Sequence, residues 1–178
     1  MKDIALTCGY KIKRLLKENN YIVANLCEKC SDYYILSGGV FPSKEEIDDI
    51  FTDLPPNKSL QDKFLLGVYK FDELVGMVDI IKDFPTIGEW TLGLMLIEPG
   101  ERGSGLGKII HKELIKWAKG LGAKTFRIGV IEDNHKAFKF WSNLGYIKIK
   151  EVKMDFKSKT HVVNIMSLQV KTITSYML

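Results

Sequence analysis

The chain has 178 residues, enough for one domain with a proper core and no disulfide or metal support. Apolar residues make up 46% and charged residues 27%, and no apolar run approaches the roughly 18 residues of a membrane span, which excludes an integral membrane protein. The net charge of +4 is too small to mark a nucleic-acid binder. Its distribution is uneven. Residues 1–100 carry 11 Lys and Arg against 16 Asp and Glu, and the remainder carries 15 against 6. The second part therefore suits an anionic ligand and the first a cationic one. Three cysteines form no disulfide framework, and the opening residues have no apolar signal core, so a reducing cytoplasmic location is expected.

Along the chain, Tyr10–Leu16 alternates polar and apolar residues, as a short strand or the lead-in to a helix. Residues 17–36 repeat apolar positions at helical spacing (Ile22, Leu26, Cys30, Tyr33, Tyr34) and end at Ser37-Gly38-Gly39. Ser43 followed by Glu46 is a capping box, so residues 43–54 are expected to form a second helix before Pro55-Pro56. The period then changes to that of strands. Lys63–Lys70 and Leu74–Ile81 predict a hairpin, and the apolar run Trp90–Ile97 predicts a central strand. Leu106 to Leu121 has an apolar face at helical spacing and stops at Gly122. Lys124–Ile131 reads as a strand, Asp133–Leu144 as a helix, and Tyr146–Asp155 with His161–Val170 as a last hairpin. The predicted fold class is α/β, with a mixed sheet of about seven strands and helices on both faces. No repeat and no Pro/Gly/Ser linker divides the chain, so residues 1–178 are expected to form one domain with its core over about 10–170.

The strongest chemical signal is the run from the buried strand through Pro99 into Arg102-Gly103-Ser104-Gly105-Leu106-Gly107-Lys108, which opens a helix. Glycines let backbone approach a ligand, and N–H groups at a helix start form an anion cradle. A phosphate or pyrophosphate is its natural guest. The P-loop pattern fails because Ile109 follows Lys108, and the dinucleotide fingerprint fails because the spacing is G-x-G-x-G.

At this point the chain resembles the GNAT superfamily of acyl-CoA N-acyltransferases. Arg102, Gly105 and Gly107 match the family pattern Arg/Gln-x-x-Gly-x-Gly/Ala, and Ile97-Glu98-Pro99 matches the segment before it. Asn134, Ala137, Phe140-Trp141 and Leu144-Gly145-Tyr146 match the second family motif. The resemblance implies that a bulge splays the strand ending at Ile97 from the strand ending at Ile131. Pantetheine would lie in that gap, bonded to backbone groups from Met95 through Leu96 to Ile97. Backbone N–H groups from Arg102 to Lys108 would hold the pyrophosphate. Asn134 would reach the pantetheine arm, with Ala137, Phe140 and Trp141 beside it. The co-substrate would be acetyl-CoA, attacked directly by a primary amine, with the Ile97 N–H stabilising the charge on the carbonyl oxygen. No metal is implied. The alternative is a domain of the same fold that binds CoA without turnover.

Two roles are left open. Many relatives carry a tyrosine as general acid where this chain has Trp141, so solvent is the alternative proton source. Glu89, before the central strand, is the candidate base, and Asp79, inside an apolar strand, is either a base or a hydrogen-bonded structural residue. The resemblance directs the acceptor pocket to Asp32, Tyr33, Tyr34, the loop from Ser37 to Pro42, and Trp90. An acid among aromatics suits a cationic amine, small molecule or peptide. The assembly is expected to be a monomer or homodimer. Cys27 and Cys30 read as a helix face rather than a redox or zinc pair, and His111, His135 and His161 as surface residues.

Overall fold

The computed structural model describes residues 2–170. The first eleven elements in chain order are β1 (Ile4–Ala5), β2 (Tyr10–Arg14), α1 (Asn20–Lys29), α2 (Ser31–Gly38), α3 (Lys44–Asp49), β3 (Lys63–Lys70), β4 (Glu73–Ile81), β5 (Glu89–Ile97), α4 (Leu106–Gly120), β6 (Thr125–Ile131) and α5 (His135–Asn143). The hairpin of β7 (Ile147–Phe156) and β8 (Lys159–Gln169) completes them.

The strands form one eight-stranded sheet in the order β1-β2-β3-β4-β5-β6-β8-β7. The sequence suggested seven, because the two-residue β1 is too short to show a period. The helix expected over residues 17–36 is two helices. Cys30 leaves helical geometry (φ −95°, ψ 29°) with its side chain fully buried, and Ser31-Asp32 starts a new helix with an acid in its first turn. The expected capping box forms at α3, where Glu46 N–H donates to Ser43 Oγ and Ser43 N–H to the Glu46 carboxylate. That helix ends at Asp49, earlier than its sequence suggests.

All neighbouring strands are antiparallel except β5 and β6, which α4 joins by a crossover. One face of the sheet packs Leu106, Ile110, Leu114 and Ala118 of α4. The other packs Val23, Leu26, Cys27 and Cys30 around α1, against Leu65 and Met77 of the sheet. Trp90, expected in the acceptor pocket, is instead fully buried under α4. It stacks on Phe64 with centroids 5.8 Å apart and meets Trp117 edge-on at 5.6 Å. A large ring at the first inward position of a central strand contributes more as core than it could at a wet pocket wall.

Two irregularities in β5 shape the middle of the sheet. Asp79 faces Leu94 and Ile80 faces Leu92, so Gly93 is an extra, bulged residue in β5. The parallel ladder with β6 runs only from Glu89↔Thr125 to Leu92↔Ile128. Beyond the bulge, the two central strands separate.

Candidate active site

The separation exposes a defined set of backbone groups. Glu98 N–H donates to the Val75 carbonyl at 2.9 Å. An antiparallel ladder bonds at alternate residues, so Leu96 and Leu94 bond back toward β4 opposite Met77 and Asp79. The N–H and C=O groups of Met95 and Ile97 therefore point the other way, toward β6, which no longer pairs with them. The N–H and C=O of Met95 and the N–H of Ile97 have no ladder partner there, while the Ile97 carbonyl accepts from Arg102 Nε.

Around that gap lies a cleft of about 820 Å³. Met95, Leu96 and Ile97 form one wall, and Arg102, Gly103, Gly105, Gly107 and Lys108 form its end. Asn134, Ala137, Phe140 and Trp141 of α5 and its N-cap form the opposite wall, and Asp32 and Tyr33 of α2 lie at its edge. Gly105 is the N-cap of α4 with φ 87°, a conformation that disfavours side chains. An added Cβ at Gly103 or Gly105 would meet nothing within 4 Å, so the backbone here borders open space. Gly107 answers a different demand, since a Cβ there would sit 3.1 Å from Phe140 Cζ and 3.3 Å from Ile97 Cδ1. Leu106 contributes only backbone, its side chain being 3% exposed in the core, and Ser104 turns its hydroxyl to the Glu101 carbonyl at 2.8 Å.

Several side chains have a second duty. Asn134 lines the cleft and also caps α5, its Oδ1 accepting from Ala137 N–H at 3.0 Å. Arg102 spans the cleft edge. Its Nε donates to the Ile97 carbonyl at 2.6 Å, and its two terminal nitrogens grip Asp32 at 2.5 and 3.1 Å. Hydrogen bonding from Arg102 holds the Asp32 carboxyl below its usual range. The sequence assigned these two residues to different ligands; the fold joins them.

Glu89 sits at the paired end of β5, beside Thr86 and Arg127, and lines neither the cleft nor the cavity next to it. Four residues of strand, about 13 Å, separate it from the bulge, so the structure does not bring this candidate base to the site. Tyr34 lines the neighbouring cavity rather than the cleft, its hydroxyl 3.1 Å from Cys27 Sγ. That cavity, about 350 Å³, is bounded by α2, α3, Gly93-Leu94 and the tip of the last hairpin. Tyr33 lines both spaces. The hairpin tip holds the end of α2: Ser158 Oγ donates to the Gly38 carbonyl, Lys159 Nζ to those of Ile35 and Leu36, and His161 Nε2 lies 2.8 Å from that of Ser37.

Sequence reasoning missed Lys136, Asn143 and Leu144 in the cleft wall, although they share a helical face with Ala137 and Phe140. It also misread His111, which is 6% exposed. Its Nε2 lies 3.0 Å from the Tyr146 hydroxyl, and its ring meets Trp141 edge-on. Among the described residues, no group of three or more His, Cys, Asp or Glu could hold a metal ion, and no helix is long and apolar enough to cross a membrane.

Comparison with known proteins identifies the family. The model of the acetyltransferase (GNAT) family matches residues 25–146, and the chain belongs to that family. It is therefore an acetyltransferase by family, and its acetyl donor is acetyl-CoA. No curated protein sequence matches the chain. Among solved structures, it is similar to the Salmonella typhimurium acetyltransferase that modifies the N-terminal serine of ribosomal protein L7/L12, with TM-score 0.77, 12% identity, and coverage of 96% of this chain and 100% of that one. Ribosomal-protein-S5-alanine acetyltransferase from Vibrio fischeri gives 0.73, 15%, 96% and 98%. YncA of Salmonella typhimurium, solved with acetyl-CoA, gives 0.64, 14%, 94% and 97%. At these identities the likeness is one of fold.

Proposed function

We propose that the chain is an N-acetyltransferase that moves the acetyl group of acetyl-CoA to a primary amine by direct attack in a ternary complex. The observation that carries the reading is the end of the β5–β6 ladder at Leu92↔Ile128, which turns the backbone of Met95 and Ile97 into the cleft. The residues fit the donor. Open backbone at Gly103 and Gly105, the start of the 15-residue α4, and the cations Lys108 and Lys136 suit a pyrophosphate. The N–H and C=O of Met95 and the N–H of Ile97 are donors and an acceptor of the kind that match amides. When bound, acetyl-CoA supplies an activated acyl carbon. The chain's part is to hold the donor, to aim the Ile97 N–H at the developing oxyanion, and to admit the amine from the α2–α3 side.

The acceptor is a small-molecule or peptide amine. One structural neighbour modifies the N-terminal serine of a ribosomal protein, and another is named for an alanine of a second ribosomal protein. A peptide α-amine therefore belongs in the first panel beside small amines. Calorimetry with CoA and thiol release from acetyl-CoA against that panel test the reading. CoA binding and acetylated product are expected. CoA binding with no product from any amine would favour the non-catalytic alternative, and absence of CoA binding would end both.

Trp141 is 7% exposed and packs edge-on against Phe140, His111 and Tyr146. Its indole is a wall, and solvent protonates the departing sulfur. Trp141→Phe is thus expected to keep kcat within about tenfold, because removing a general acid costs about 100-fold or more. A larger fall, with loss of the basic limb of the pH–rate profile, would assign the ring a chemical role.

A further inference from the structure

The cavity next to the donor cleft, about 350 Å³, has the volume of a small-molecule site. Tyr34, Val40, Pro42, Ile50, Leu94 and Phe156 supply its apolar walls, and Tyr33 lines both it and the cleft. Leu94 of the cavity and Leu96 of the cleft are two residues apart on β5 and pack on the same face of the sheet, about 7 Å from one another. The two spaces therefore adjoin along the part of β5 that lies beyond its ladder with β6.

The negative groups at the border of this cavity are already taken. Glu46 and Lys157 are the charged residues that line it among the described ones, and they pair with each other. Ser43 N–H also donates to the Glu46 carboxylate, at 2.6 Å. Hydrogen bonding from Lys157 and Ser43 holds that carboxyl below its usual range. The end of α2 is a second natural place for a cation, since free carbonyls at a helix C-terminus carry partial negative charge. Here Lys159 Nζ takes those of Ile35 and Leu36, and Ser158 Oγ takes that of Gly38. Farther off, Arg102 grips Asp32, and Asp79, behind Gly93, is paired with Lys63 Nζ at 2.8 Å. The acids that suggested a cationic acceptor in the sequence are thus neutralised in the fold.

We infer that the acceptor is a primary monoamine whose remaining part is apolar and uncharged, an alkyl or aryl group seated in this cavity with the nitrogen directed past Tyr33 toward the cleft. The inference rests on the function proposed above and names its substrate class. The walls stabilise such a group by removing it from water. A second ammonium on the same molecule would lose hydration with no free acid to meet it.

The same surroundings favour the neutral form of the reacting nitrogen, which is the form that attacks. Its ammonium proton goes to water as the amine leaves bulk solvent. No carboxylate is then needed beside the nitrogen, in keeping with Glu89 standing at the paired end of β5.

The test is a matched pair of amines. Hexylamine and hexamethylenediamine have the same chain and differ by one terminal ammonium. With thiol release from acetyl-CoA as the readout, kcat/KM is expected to favour hexylamine by about 100-fold. Calorimetry on the protein saturated with CoA should show the same preference without turnover. Lys157→Met then frees Glu46 in the same cavity. The pair is partly exposed, so its loss costs little stability. In this variant kcat/KM for the diamine should rise about tenfold, as a new charged hydrogen bond allows. Lys157→Met/Glu46→Gln should cancel the rise, since glutamine keeps the helix cap without the charge. Phenethylamine and a peptide that begins with phenylalanine carry the same aryl group, and the better of the two tells whether a free amine or a chain end is the source. A wild type that uses the diamine as well as hexylamine, or a single variant with no gain, would overturn the inference and leave the proposed function standing. Wild-type protein that neither binds CoA nor acetylates any amine would end both.

Discussion

Gly105→Asp is expected to weaken CoA binding by about 100-fold, close to 3 kcal/mol, while the protein stays folded. Gly105 is the N-cap of α4, and an aspartate there sets a carboxylate beside the free N–H groups of the first turn. Those are the groups that the pyrophosphate needs. The new side chain would meet nothing within 4 Å, so no clash opposes it. The left-handed φ of 87° strains a side chain by about 1 kcal/mol, so a small fall in melting temperature accompanies the loss of binding. The variant thus supplies its own anion to the cradle and repels the incoming one. Calorimetry reads the loss, and a thermal melt shows that the helix survives. Unchanged affinity would move the pyrophosphate away from this turn.

Acid is expected to destabilise the protein through His111 before its carboxylates titrate. Burial pushes this imidazole down to about 4 from an ordinary value of 6.5. Its neighbours are the rings of Trp141 and Tyr146 and the Tyr146 hydroxyl, which are neutral. In the unfolded chain it takes a proton below about pH 6.5, and in the folded protein only near 4. The unfolded state therefore binds more protons across that window, so stability falls as pH drops from 6.5 to 4. The full loss is about 3 kcal/mol. Asp32 and Asp62, whose carboxyls are held below their usual range, lose their contribution only at lower pH. Asp79, shifted upward, opposes the trend. His111→Gln keeps a hydrogen-bonding group for Tyr146 but does not titrate, and Asp79 acts equally in both proteins. Denaturant melts at pH 7 and 4.5 should show a steep loss in the wild type and a shallow one in the variant. Equal losses would place the acid sensitivity elsewhere.

The elements from β3 to α5 were legible because each carries a clear period and a clear stop. The capping box at Ser43 and the glycine run before α4 mark helix starts through backbone chemistry that is local. The break at Cys30 was not legible. Residues 17–36 keep a helical period across it, and the break follows from seating both helices against the sheet. Arg102, Gly103, Gly105, Gly107 and Lys108, which line the cleft, were legible because the glycine turn is local. The cavity proposed for the acceptor was not, because its walls come from α2, α3, β5 and the last hairpin, which meet only in the fold. Asp79 illustrates the limit. An acid in an apolar strand can be flagged, but its partner Lys63 lies across the sheet at a position that also reads as a strand end. Trp90 failed in the opposite way. An aromatic beside an acid suggests a pocket, and only the sheet shows that its ring points under α4.

The hold of the last hairpin on α2 bears on the order in which the chain assembles. The carbonyls of Ile35, Leu36, Ser37 and Gly38 take their partners from residues 158–161, 120 to 124 positions later in the chain. Hydrogen bonds that close loops of this length form late, since their entropy must be met before they contribute. As the chain emerges from the ribosome, α2 and the first five strands are present while its final carbonyls still face water. The cavity proposed for the acceptor therefore takes its final shape late. A chain stopped short of residue 158 lacks both the strand that pairs with β6 and part of the hairpin that holds the end of α2 beside the proposed acceptor cavity.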